Sequence, residues 1–179
     1  MKVLFIFNSN KFIGKGHESR CMNIASELVL MGCDVHLATS TASNISEHNL
    51  QIFQTINFFD DIANVVSGLK KNSNKYTSIV IDTYDISPRE LIDVCDNCSI
   101  YKFELSPDLN EKRIKFITFD PYYVGKSPFH CFGPQYFPLN KKFIDAQKKK
   151  ILKNNSMFVF FGGGNNSNLI SKYSDYFAH

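Results

Sequence analysis

The sequence predicts an α/β protein with a Rossmann-like, three-layer parallel sheet. Three observations carry that expectation. Residues 3–7 form an unbroken apolar run, as expected of a strand covered on both faces. Strand and helix signals then alternate along the chain, the pattern that parallel sheets require. Finally, the first strand runs through a polar, glycine-spaced turn, "NSNKFIGKG", straight into a helical pattern.

The elements are taken in chain order. Over 17–31 the apolar residues Met22, Ile24, Ala25, Leu28 and Val29 recur at helical spacing, and Gly32 supplies a stop. "CDVHLATS" reads as a second strand. "FFDDIANVVSGLKK" reads as an amphipathic helix whose terminal lysines suit the negative end of the dipole. "YTSIVIDTYDIS" is the next strand. A helix opens at "SPREL", with Ser87 as cap and Pro88 in the first turn. "CSIYKFEL" and "KRIKFITF" complete the strands. Beyond residue 138 a basic helical pattern, "PLNKKFIDAQKKKILKNNS", leads to "MFVFFGGGNNSNLISKYSDYF", which repeats the opening theme of strand, glycine turn and helix. The expected organisation is a Rossmann-like domain over 1–152, then the first strand and helix of an incomplete second domain over 153–179.

Composition narrows the function classes. The 179 residues are 44% hydrophobic and 21% charged, ordinary for a globular chain. A net charge of +3 gives no electrostatic case for nucleic acid as a partner. No window approaches the roughly 18 apolar residues of a membrane span, and the opening run is read as a buried strand rather than a secretory leader. Five cysteines, an odd number, point to reduced thiols and a cytoplasmic location. Cys95 and Cys98 form a C-x-x-C, but no second pair occurs at ligand spacing, so no metal and no cofactor is expected.

Three stretches carry chemistry. Gly14 and Gly16 bracket a turn that presents backbone N–H groups at a helix start, where anions such as a diphosphate are favoured. His17 stands in the first helical turn. The dipole disfavours imidazolium there, which suits a proton acceptor; a solvent-facing helix-start residue is the plainer alternative. Arg20, one turn on, is either a phosphate ligand or a surface residue. In "IDTYDIS", Asp82, Tyr84 and Asp85 lie just past the C-terminal end of a buried strand, the edge where ligands of open α/β sheets gather. For the aspartates a polar turn with Asp85 or Ser87 capping the next helix is the simpler account; Tyr84 has no evident core role. Gly162, Gly163 and Gly164, then Asn165, form a turn that admits close ligand approach or serves as a flexible link.

Taken together, these segments resemble the nucleotide-sugar hydrolase family of pseudaminic acid biosynthesis. The opening is similar to its G-x-G-H-x-x-R signature, through Gly14, Gly16, His17 and Arg20. "IVIDTYDIS" matches its I-D-x-Y-x-I-S segment at Asp82, Tyr84 and Ser87. "FGPQYFPLNKKF" resembles its hinge segment, through Gly133, Tyr136, Leu139 and Phe143. "FVFFGGGNNSNL" looks like the turn that opens its second domain. The resemblance implies the N-terminal half of a two-domain glycosyltransferase-B fold with its active site between the halves. It implies hydrolysis of a UDP-linked 2,4-diacetamido-2,4,6-trideoxy sugar, water attacking the anomeric carbon as UDP departs. His17 would orient or deprotonate that water and Tyr84 would meet substrate at the reaction centre. Gly14, Gly16, Arg20, Asp82, the three late glycines and Asn165 would bind the nucleotide sugar. The chain departs from the family pattern at Asn8 and Asn165, where acids are usual, and at "KFELSP", with Glu104, where an F-D-D segment is usual.

Two other functions fit the same sequence. A glycosyltransferase of this architecture would use a UDP-sugar with a sugar hydroxyl in place of water. A half of a split enzyme would bind sugar or a partner without catalysis, and a homodimer or a second-domain partner chain would then complete it.

Overall fold

The computed structural model describes residues 1–147 apart from 63, 95 and 119–126, together with 168, 171 and 172. Seven strands make one parallel sheet: β1 (Lys2–Phe7), β2 (Asp34–Ser40), β3 (Thr55–Phe59), β4 (Ser78–Asp82), β5 (Ser99–Phe103), β6 (Ile114–Thr118) and β7 (Cys131–Phe132). Their spatial order is β3-β2-β1-β4-β5-β6-β7. The chain therefore winds outward from β1 to β3, returns to lay β4 against the other side of β1, and winds the opposite way. This is a doubly wound, Rossmann-like sheet, and its order reverses between β1 and β4.

Strand periodicity distributes the core. In β1, Val3, Phe5 and Phe7 face the cluster that α1 (Gly16–Leu30) covers through Cys21, Met22 and Ala25. Leu4 and Ile6 face the opposite cluster, covered by Val65, Val66 and Leu69 of α3 (Asn64–Asn72) and by Leu91 at the end of α4 (Pro88–Leu91). Helices on both faces explain why β1 carries no polar alternation. Phe5 and Phe7 are wholly buried, each contributing about 1.5–3 kcal/mol of transfer free energy. The parallel register sets Phe7 beside Asp82, so the ends of β1 and β4 lie level.

The elements differ from the sequence expectation in three places. Phe58 and Phe59 belong to β3, not to the next helix, which begins only at Asn64. β3 is an edge strand with no residue fully buried, so its apolar pattern is weak and merges with the polar turn after it. A four-residue α2 (Glu47–Leu50) starts at Ser46, whose Oγ accepts from Asn49 N at 3.4 Å, and β7 is two residues long. Both are too short to leave a periodic signal. The "SPREL" start does form a capping box, with Ser87 N–H donating to Glu90 Oε2 at 2.7 Å. Ser87 is thus the cap of α4, whereas the Asp85 carboxylate turns to Asn8 and Thr83. The basic pattern after 138 contains α5 (Lys141–Gln147). The expected second-domain strand and glycine turn lie outside the described residues. Among the described residues no helix is long and apolar enough to cross a membrane.

Candidate functional site at the sheet reversal

The loop from β1 into α1 is built around one asparagine. Asn10 Oδ1 accepts the backbone N–H groups of Phe12 and Ile13, each at 2.9 Å, and Gly14 N–H closes the turn onto the Asn10 carbonyl at 2.8 Å. Gly14 has φ +83°, a conformation that disfavours any residue with a Cβ. Gly16 is the first helical residue, and a Cβ there would meet the Arg20 guanidinium at 3.4 Å. One turn of helix then points His17 and Arg20 at the end of β4.

There they meet Asp82, 1% exposed. His17 Nδ1 lies 2.5 Å from Asp82 Oδ1. Arg20 donates from Nε to Oδ2 at 2.7 Å and from Nη2 to Oδ1 at 2.9 Å, a bidentate pair. Arg20 Nη2 is 3.2 Å from His17 Nδ1 because both nitrogens converge on the same carboxylate oxygen. An arginine nitrogen can only donate and the carboxylate can only accept, so the geometry assigns a proton to Nδ1; in the neutral imidazole the lone pair is then on Nε2. Among the described residues nothing hydrogen-bonds to Nε2. Burial alone would raise the Asp82 carboxyl, but the hydrogen bonds from His17 and Arg20 outweigh it and hold the group below the usual carboxylate range. For Arg20 burial works downward and the Asp82 contacts carry it above its ordinary value.

Aromatic contacts frame this triad. The Tyr84 ring meets the His17 imidazole edge to face at 5.1 Å between centroids, and Tyr84 is 60% exposed. The Arg20 guanidinium lies 5.5 Å from the centre of the Phe103 ring. Asp82, Tyr84 and Arg20 line one side of a small cleft whose other walls come from the ends of β5 and β6. The sequence treats Asp82 as a turn or substrate-binding residue. Its place as the partner of His17, 65 positions away, emerges only from the parallel pairing of β1 with β4.

Two further polar clusters support the site. Glu18, 4% exposed, accepts from Ser9 Oγ at 2.7 Å, Lys15 Nζ at 2.8 Å and Asn49 Nδ2 at 2.7 Å. Burial raises its carboxyl, and these donors bring it below the ordinary glutamate value. Lys15 also donates to the Asn44 carbonyl. Asn8 Oδ1 accepts from Ser40 N and Ser43 Oγ while its Nδ2 donates to Asp85. An aspartate at position 8 would face Asp85 with no proton to donate, so asparagine suits this surrounding. Asp85 Oδ2 also accepts from Thr83 Oγ1 at 3.0 Å, which fixes the loop that carries Tyr84.

Sequence reasoning missed Lys102. It is 1% exposed on β5, and its ammonium donates to the Thr83 carbonyl at 3.1 Å and to Glu104 Oε2 at 3.0 Å. The available signal was the Lys-x-Glu spacing, which puts both side chains on one face of a strand. Gly133, at φ +104°, donates its N–H to the Thr118 carbonyl. The segment after it returns to α1, where Asn23 Nδ2 donates to the Pro138 carbonyl at 2.8 Å. Tyr136, Leu139 and Phe143 remain exposed. Cys98 donates weakly to the Val94 carbonyl at 3.7 Å, and its C-x-x-C partner Cys95 lies outside the described residues. Gly162, Gly163, Gly164 and Asn165 lie outside them as well. No protein-family model matches the chain, and none of the curated proteins matches it.

Proposed function

We propose that the chain hydrolyses a UDP-linked diacetamido-trideoxy sugar, with His17 as general base. The observation that carries this is the His17–Asp82 pair at the sheet reversal. A carboxylate that fixes Nδ1–H orients the imidazole, sets Nε2 as the acceptor and stabilises the imidazolium that forms on proton uptake. In the proposed step a water gives its proton to Nε2 while its oxygen bonds to the anomeric carbon. The bond from that carbon to the diphosphate oxygen breaks, and UDP leaves with the electron pair. Arg20 holds the second carboxylate oxygen, so Asp82 keeps its charge and its aim. In this reading Tyr84, largely exposed against His17, would touch the sugar; its ring contact with His17 supports that role. In a glycosyltransferase-B arrangement this sheet edge would form one wall of the cleft.

The test is UDP release from UDP-N-acetylhexosamines by the purified chain and by His17→Ala. Loss of a positioned base should lower release about 10²–10⁴-fold. Equal release by both proteins would overturn the assignment. Release that appears only with a sugar acceptor would instead make the chain a transferase.

A further inference from the structure

Next to the His17–Asp82 pair, the ends of β4, β5 and β6 enclose a small pocket lined in part by Tyr84, Phe103, Glu104, Leu105, Ile117 and Thr118. Its charges cancel locally. Arg20 is paired with Asp82 at two points, and the Lys102 ammonium is paired with Glu104. No uncompensated positive charge faces this pocket from these pairs, so it is poorly built for phosphate. Glu104 Oε2 accepts from Lys102 and Oε1 from the Leu105 backbone at 3.0 Å, and each carboxylate oxygen retains a further lone pair. Such a group attracts a hydroxyl or amide N–H and repels an anion. Beside it the walls are apolar: Phe103 is buried, Ile117 half-buried, and Leu105 exposed at the rim.

We propose that this pocket receives the acetamido group of the sugar, with Glu104 accepting the amide N–H and Phe103, Leu105 and Ile117 enclosing the methyl. This deepens, and rests on, the assignment of an amino-sugar nucleotide as substrate. Lys102 then acts as a positioning residue, since it sets the Glu104 carboxylate and, through the Thr83 carbonyl, the backbone that carries Tyr84.

The experiment is an amide ¹H–¹⁵N titration of the full chain with N-acetylglucosamine, glucose and inorganic phosphate, repeated with Glu104→Gln. N-acetylglucosamine should shift the amides of Phe103, Glu104, Leu105 and Thr118, and glucose should bind about tenfold more weakly, the loss of one well-placed contact. Glu104→Gln should weaken N-acetylglucosamine by a similar factor. Leu105→Ala, at the exposed rim, provides a variant that leaves the Lys102 pairing in place and should also weaken it. Three results would each overturn the subsite: phosphate shifting these same amides, glucose binding as well as N-acetylglucosamine, or no sugar shifting them. His17-dependent UDP release, measured on the same samples, separates the two assignments. Release without sugar shifts at the pocket sinks only the subsite; pocket binding without release sinks only the hydrolase.

Discussion

Asp82 and Glu18 make an instructive pair. Both are buried carboxylates against the first turn of α1, and both are held below their ordinary pKa by a cation and further hydrogen-bond donors. Their partners differ in kind. Glu18 gathers a serine, a lysine and an asparagine from the β1–α1 loop and α2, and so ties three segments together. Asp82 gathers an arginine and an imidazole, and the imidazole keeps a second nitrogen with nothing bonded to it among the described residues. Burial and saturation are therefore common to a structural lock and to a candidate catalytic site. The chemical capacity left over once every bond is made is what separates them.

The sharpest way to break this comparison is at Asp82. Asp82→Ala removes the buried carboxylate that holds the half-buried Arg20 guanidinium at two points and should cost about 3 kcal/mol in a denaturant titration. Asp82→Asn keeps the shape but can present an N–H to Nδ1, which favours the wrong tautomer; UDP release should fall at least about 100-fold. Retention of release in Asp82→Asn would make the pair merely structural.

A smaller effect is expected on the other side. Glu18→Ala leaves the Ser9 and Asn49 donors without their acceptor and should cost about 1–3 kcal/mol. UDP release by the folded variant should be unchanged. A drop as deep as that of the Asp82 variants would erase the distinction between the two clusters.

The smallest effect concerns acid. Both carboxyls have folded-state pKa values depressed below their unfolded ones, so each contributes stability that is fully present above the unfolded value. That contribution is lost as pH falls from about 4 through the lower folded values. A series of thermal midpoints should therefore decline below about pH 4, and Glu18→Gln should flatten part of that decline. An identical acid limb in wild type and variant would contradict the linkage.

Much of the frame was legible because it depends on short-range pattern. The continuous run in β1, the helical spacing of Met22 and Ala25, and the Ser87–Glu90 start each reflect a local physical rule, and each appears where expected. β3 was hidden because an edge strand needs no buried face, and its aromatic residues merge with the polar turn at its end. Lys102 was hidden because lysine is ordinarily solvated; the Lys-x-Glu spacing points to its carboxylate partner, but no local pattern reveals the carbonyl 19 positions earlier that completes its enclosure.

The sequence by itself determined the strand–turn–helix unit, the glycine at φ +83° that lets the loop close, and the placing of His17 and Arg20 one turn apart on the same helix face. Each of these results from the backbone freedom and periodicity of nearby residues. Only the tertiary structure decided what His17 faces. Asp82 reaches it because β4 returns to pair with β1, and that return is fixed by burial on both faces of the sheet rather than by any residue near the histidine. The tautomer, the depressed carboxyl and the charge-balanced pocket beside them all depend on that long-range pairing.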